Sequence, residues 1–394
     1  MPIEERVFIA GAGPVGLAAA ANLVRHGLPV SVFEAGTALS EESRASTFHP
    51  PTLDMPDEFG AAAPLIAQGL RAPQFQYRTR EGVIATFDFA AIADLTKHPY
   101  RVQSEQFKLT RILYERLCRD PNFRIEFGSR VGGVEEYDAA VHVTLERNGT
   151  TGRRAGRWLI GADGARSDVR RALGIEFAGF TWPERFLVVS TPFDFRSVIA
   201  DLVSVSYVSD PERWHFLLEI PGLWRVMFPL AETISDEAAL SRAFANSLMA
   251  SVVPGIADYE IAHTTLYKVH QRVAKAFRAG RVFLAGDAAH VNNPLGGMGM
   301  NGGIHDALNL TARLVEVWGA AAPPAELDRY ERQRRSVTLE YIEKQSITNK
   351  RNLEGGNPDF AAELRRTAAD PKRMRNYLIR VSMIASLRRA AEFG

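Results

Sequence analysis

The sequence predicts an α/β protein: a nucleotide-type parallel sheet, a mostly antiparallel sheet inserted into it, and a helical C-terminus. Three observations predict it. An apolar strand at 6–10 runs into Gly11-Ala12-Gly13-Pro14-Val15-Gly16, then an alanine-rich helix and a second strand at 29–34, making a β-α-β unit. Between 185 and 269 aromatic and β-branched residues alternate, the mark of antiparallel strands. At 281–285 a short apolar strand returns, followed by a glycine-rich loop and a long helix. The nucleotide-type domain is therefore predicted to be discontinuous, at 1–74, 99–182 and 270–345. The sheet domain takes 75–98 and 183–269, and 346–394 form a C-terminal helical segment.

The elements follow in order. The first helix, from about 14 to 26, meets Gly27 and then Pro29, a natural C-terminal residue and a natural stop. Residues 35–73 are rich in Pro, Ser and Ala, with a helix near 51–59. Residues 75–89 alternate like a hairpin, and 106–119 form an amphipathic helix. Strands are expected at 123–127, 131–137 and 141–147, with Asn148-Gly149 as a turn. A buried strand at 158–160 enters Gly161-Ala162-Asp163-Gly164. The inserted sheet is expected to use strands at 186–190, 204–208, 214–220 and 224–230, with one helix near 236–250. A helix at about 301–318 and a charged helical remainder from 325 complete the chain.

At 394 residues the chain can bury one large core and is expected to hold two domains. A net charge of +1 gives no reason to expect nucleic acid or an acidic membrane as partner. The apolar run at 7–24 carries three glycines, a proline and Asn22, so a buried strand-turn-helix is expected there rather than a membrane span or secretory signal. Cys118 is the one cysteine, which excludes an intrachain disulfide and fits a reducing compartment, the cytoplasm. No metal is expected.

The motifs carry the chemistry. In the first turn, Gly11 permits the tight bend, Gly13 lets a pyrophosphate approach the backbone, and Gly16 lets helix and strand pack closely. Pro14 and Val15 open the helix, whose free N–H groups and dipole favour phosphate. Glu34 ends the second strand, where it can accept hydrogen bonds from an adenosine ribose. Arg44, next to Ala45, can neutralise pyrophosphate or simply sit in solvent. Gln106 opens its helix, with Gln103 competing for any role given to it. Asp163 can cap the following helix, meet a cofactor, or both. Gly286-Asp287 ends a buried strand, where the aspartate can bond the ribityl hydroxyls of a flavin. The loop through Pro294 to Gly299, Met300 and Asn301 feeds a helix start, aiming N–H groups at a flavin edge that becomes negative on reduction.

As a set, these residues resemble the single-component, class A flavoprotein aromatic hydroxylases, the group that includes para-hydroxybenzoate hydroxylase. The resemblance covers roughly residues 3–345. It implies an FAD-binding Rossmann-type domain, with Glu34 on the adenosine ribose, and Arg44 and Gln106 at the pyrophosphate or ribityl region. Val131 is counted with these cofactor residues. Asp163 would serve both FAD and the nicotinamide cofactor, and Asp287 the ribityl oxygens. Met300 and Asn301 would supply amides to the ring, with Pro294 beside flavin and substrate. Departures are Asn292-Asn293 ahead of Pro294, where many relatives have two prolines, and Met298 where many have glutamine. There is no second dinucleotide fingerprint, as expected where NADPH or NADH binds transiently.

The implied reaction is hydroxylation of a phenol, hydroxy-aromatic acid or hydroxy-N-heteroaromatic by O2 through a flavin C4a-hydroperoxide. The partners implied are a small aromatic substrate and O2, with the protein a monomer or homodimer. Catalytic candidates are Tyr207, His215 and Arg225 on the inserted strands, Pro294, and His49 soon after Arg44. His290 is a further candidate, since histidine titrates near neutral pH, although each histidine has a structural reading too. Alternation places His215 with Leu217 on one face and Trp214 with Phe216 on the other, and Arg225 with Met227 opposite Trp224 and Val226. Rival functions are a flavin-dependent saturase or halogenase on the same fold, or a flavin-binding sensor. The basic C-terminal stretch from Arg365 to Arg389 reads as an amphipathic helix packed on its own domain or on a second subunit.

Overall fold

A computed structural model describes residues 3–42, 45–137, 139–210, 213–256, 258–355 and 358–394. The nucleotide-type sheet is built on parallel strands Phe123–Phe127, Val30–Glu34, Glu4–Ala10, Thr150–Gly161 and Val282–Leu284, in that spatial order. Its central strands are apolar on both faces because both faces are covered: Val7, Phe8, Ile9, Leu159, Ile160 and Phe283 are fully buried. Thr150–Gly161 serves two ladders. Its first half pairs antiparallel with Ala140–Arg147, and its last residues run parallel to Glu4–Ala10. The strand expected at 158–160 is only the buried end of this element.

Helix Pro14–Arg25 packs against helix Met298–Trp318. Asn22 sits in that interface without cost, because its Nδ2 donates to Thr311 Oγ1 at 2.7 Å.

The second sheet orders His290–Val291, His263–Ala274, Phe177–Thr191, Leu223–Leu230, His215–Ile220, Val205–Val208, Gln74–Arg78 and Val83–Asp88. The expected hairpin at 75–89 is therefore present, and it joins Val205–Val208 in parallel. One face of this sheet carries Phe186, Val188, Tyr207 and Met227, packed with Phe75, Tyr77 and the C-terminal Leu378 and Val381. The other carries Leu187, Val189, Leu217, Val226 and Phe228, packed with Leu248 and Met249. The helix expected at 236–250 is two helices, Asp236–Leu240 and Arg242–Val252. Ser241 breaks them: its backbone is extended, and its side chain accepts the Phe244 N–H to cap the second.

The basic C-terminal stretch forms Phe360–Ala369, Pro371–Val381 and Ile384–Glu392, with apolar residues turned onto the hairpin side of the sheet. Arg375 holds Asp94 through both guanidinium nitrogens, at 2.6 and 2.7 Å. Among the described residues, no helix is long and apolar enough to cross a membrane.

Candidate active site

The glycine turn divides its labour. A Cβ at Gly11, where φ is +98°, would lie 2.5 Å from the Ala162 carbonyl oxygen. One at Gly16 would lie 2.0 Å from the Gly11 oxygen. A Cβ at Gly13 would meet nothing within 4 Å. The first and third glycines are thus required by the protein's own packing, while the second leaves open space at the N-cap of the helix. Glu34 spans the turn: Oε2 accepts the Ala12 N–H and Oε1 the Gly36 N–H, both at 2.7 Å. Val131 is buried on the strand that follows the end of this one, where Ser129 N–H donates to Glu34 O.

Asp163 Oδ2 accepts the Asp168 and Val169 N–H groups at 2.8 and 3.1 Å, so it does help start the short helix Asp168–Ala172. Ser167 is that helix's N-cap, accepting from Arg170 N–H. Asp163 Oδ1 is buried with no hydrogen-bond partner among the described residues, and burial pushes the carboxyl above its ordinary range.

Asp287 is exposed on the turn that begins at Gly286. Behind it lies a buried network. Asp306 Oδ2 accepts the Gly286 N–H at 3.1 Å and faces His290 Nε2 at 2.8 Å, while Oδ1 accepts Arg334 Nε at 2.7 Å. Burial alone would raise Asp306, but Arg334 and His290 together hold it below the ordinary carboxylate range. His290 therefore anchors this network. Val15 also belongs here, since a Cβ at Gly303 would lie 2.6 Å from its Cγ2 and 2.8 Å from Gly286 Cα.

Gly296 and Gly297, at φ +100° and +67°, swing the chain into Met298–Trp318. Pro294 O accepts the Gly297 N–H at 2.9 Å and closes that turn. The first-turn amides of Met298, Gly299 and Met300 have no carbonyl of their own helix to bond. Asn301 is fully buried and staples the loop: Oδ1 accepts the His49 N–H at 2.9 Å, and Nδ2 donates to Thr47 O and Gly297 O. His49 Nε2 meets Gly296 O at 2.7 Å. Burial, then nearby Arg101, hold the His49 ring well below the ordinary imidazole range, so it is neutral.

Gln106 N–H bonds Ala45 O at 3.0 Å, which sets Ala45 against the start of the helix. Arg44 lies outside the described residues. Gln103, the competitor of Gln106, is fully buried; its Oε1 accepts the Thr47 hydroxyl at 2.8 Å, and its Nε2 has no partner among the described residues. The buried orphans at Asp163 and Gln103, the open face of Gly13 and two unsatisfied helix starts fit an elongated ligand with phosphates, hydroxyls and a polar ring edge.

Against the loop lies a narrow crevice with about 10 Å³ of open volume, lined by Phe75, Tyr77 and Tyr207 of the sheet, Gly296 and Met298 of the loop, and Arg101, Asn349 and Tyr377. Tyr207 stacks on Tyr77 at 5.1 Å between ring centroids. Arg225 shares the sheet face of Met227 but points to the Ala45-Ser46 segment, donating to Ser46 Oγ at 2.7 Å. His215 lies on the opposite face, packed on Phe228 at 5.7 Å beneath the helical layer. This corrects the expectation that it takes part at the pocket. Burial lowers it to about 4, so it is a neutral core histidine.

Residues 4–345 match the family described as "FAD binding domain". The chain belongs to this family. It is an FAD-dependent aromatic monooxygenase of the class A flavoprotein type, using NAD(P)H and O2. The hydroxylase is 35% identical over 355 residues to para-nitrophenol 4-monooxygenase of Pseudomonas sp. (strain WBC-3), covering 89% of this chain and 87% of that protein. It is 34% identical to 6-hydroxy-3-succinoylpyridine 3-monooxygenase of Pseudomonas putida (strain DSM 28022 / S16), covering 96% and 98%. The crystal structure of p-nitrophenol 4-monooxygenase from Pseudomonas putida DLL-E4 superposes with a TM-score of 0.91 at 31% identity, over 99% of each chain.

The hydroxylase's cavity includes residues that sequence reasoning missed: Tyr77, Arg101, Gln345, Asn349 and Tyr377. Gln345 and Asn349 carried a faint signal, an i,i+4 amide pair on one helix face. Asn349 Nδ2 donates to Leu295 O and so also braces the loop.

Proposed function

We propose that this chain hydroxylates a phenol-type ring held between Tyr77, Tyr207 and Tyr377 on one side and the Gly296-Gly297-Met298 turn on the other. The observation that carries the reading is that one cavity is lined both by this glycine loop and by aromatic side chains of the inserted sheet. Bound FAD supplies electron transfer from NAD(P)H and the activation of O2.

The protein's own residues bind, orient and shield. Gly11, Gly13 and Gly16, with Pro14 and Val15, present the helix start to the pyrophosphate. Glu34 and Val131 flank the adenosine end. Ala45, Gln106 and Gln103 line the middle, with Arg44 added from the same segment. Asp163, Gly286 and Asp287 meet the ribityl hydroxyls. Gly299, Met300 and Asn301 turn amides toward the ring edge, with Pro294 beside it. The buried aromatic wall orients the substrate and keeps bulk water away from it. The relatives named for para-nitrophenol and 6-hydroxy-3-succinoylpyridine favour a small hydroxylated ring. On this reading the chain works in the cytoplasm as a monomer or homodimer.

The test is aerobic NAD(P)H consumption by the FAD-loaded protein across phenols, hydroxybenzoates and hydroxypyridines, with product mass recorded. Stimulated consumption with a one-oxygen mass gain supports the reading. A panel that stimulates nothing overturns it.

A further inference from the structure

A second opening lies at the far ends of two helices that begin at the flavin site. Pro14–Arg25 starts at the glycine turn, and Gln106–Leu117 starts at Gln106. Each runs 12 residues, about 18 Å along its axis. Their C-terminal ends flank a groove of about 540 Å³, bordered on a third side by Glu58, Phe59 and Gly60. That is the size of a small-molecule site. Its floor is apolar: Ala21, Val24, Leu113 and Leu117 are buried beneath it, and Phe59 is half-buried at its side.

The charged side chains that line the groove fall into two sets. Arg25, Glu58 and Asp120 are occupied. Arg25 donates from Nε to Asn22 Oδ1 at 2.8 Å and from Nη2 to Glu58 Oε2 at 2.5 Å, and Asp120 Oδ1 accepts the Asn122 N–H at 2.8 Å. Arg116 and Arg119 make no ion pair or side-chain hydrogen bond among the described residues. Arg116 is nonetheless placed. A Cβ at Gly60, where φ is +70°, would lie 2.6 Å from its Nη2, so the guanidinium rests on the bare backbone of that turn. A cation in the last turn of a helix suits the helix dipole, and Arg25 and Arg116 hold such positions. Arg119 lies past the end of its helix, where the dipole gives no reason for it.

We infer that this groove is a second small-molecule site, separate from the crevice, and that it takes an organic acid. The acid lays a ring-sized apolar body on the floor beside Phe59 and places one anionic group between Arg116 and Arg119. Guanidinium forks match carboxylate and sulfonate oxygens, and the apolar floor selects an acid with an apolar body over an inorganic anion. The inference is independent of which ring the protein hydroxylates.

The test titrates FAD-loaded protein, without NAD(P)H, with 1-anilinonaphthalene-8-sulfonate, followed by its fluorescence. N-phenyl-1-naphthylamine, the same body without the sulfonate, is the neutral probe. The double change Arg116→Gln with Arg119→Gln is expected to weaken the sulfonate at least about fivefold at low salt, less as salt rises, and to leave the neutral probe unchanged. Arg116→Lys with Arg119→Lys keeps part of the affinity. Both arginines are exposed, so melting temperature and bound FAD stay as in wild type. A matched loss of two exposed charges elsewhere, Arg147→Gln with Arg153→Gln, is expected to leave sulfonate binding intact. Sulfonate binding that ignores the change at Arg116 and Arg119, that falls as far in the Arg147 and Arg153 control, or that is absent from the wild type overturns the inference.

Discussion

Asp306 and Arg334 meet at 2.7 Å with both side chains fully enclosed, and the other oxygen of the same carboxylate takes the Gly286 amide. One buried ion pair therefore fixes the turn that presents Asp287. Removing one member leaves the other charged and unmatched, which typically costs about 3–5 kcal/mol. Arg334→Met is expected to lose stability of that order in denaturant unfolding, whereas Arg153→Met, at an exposed pair with Glu135, loses less than about 1 kcal/mol. Equal effects of the two changes would contradict the role given to the network.

The glycine turn predicts two opposite outcomes from two small changes. Gly16→Ala drives a Cβ into the Gly11 carbonyl oxygen and should lower the stability of the apoprotein itself. Gly13→Ala meets no protein atom, and φ is −72° there, so the apoprotein melts as wild type does. Its added methyl enters the space in front of the helix start, and FAD affinity falls at least about tenfold. Melting curves with and without FAD separate the two.

Asp287→Ala removes an exposed carboxylate on the turn that begins at Gly286. It is expected to weaken FAD by about tenfold, the worth of a charge-assisted hydrogen bond. Full flavin occupancy in the variant at low protein concentration would remove Asp287 from the site.

Acid sensitivity follows from histidines that are buried neutral. Burial lowers His215 to about 4, and burial with Arg334 lowers His305 to about 3. In the unfolded chain both titrate near about 6.5. Between these values the unfolded state binds more protons, so stability is complete above the unfolded value and falls as pH drops toward 4. His215→Gln should flatten that fall by up to about 3 kcal/mol while leaving turnover near wild type, because His215 faces away from the cavity. A large loss of turnover in this variant would restore His215 to the site.

The nucleotide-type half was legible because its signals are local. Glycines at fixed spacing, an acid at a strand end and short apolar strands all report on their own neighbours in sequence. The inserted sheet was legible as strands and faces but not as a pocket wall. Alternation separated Arg225 from Trp224, yet which face meets the loop depends on the hairpin Gln74–Arg78 pairing with Val205–Val208, more than a hundred residues away. Tyr377 shows the same limit: its helix reads as amphipathic, and only docking on Phe75 and Phe87 brings its hydroxyl to Tyr77. Arg101 carried no local signal at all, being one arginine in a short strand. Its meaning lies in an enclosure assembled from distant segments.

The most direct measurement is the source of the oxygen in the product. FAD-loaded protein turning over its best aromatic substrate with NAD(P)H under oxygen-18 gas should give product carrying one labelled oxygen per hydroxylation. Product labelled only from water, or formed equally well without O2, would contradict the account.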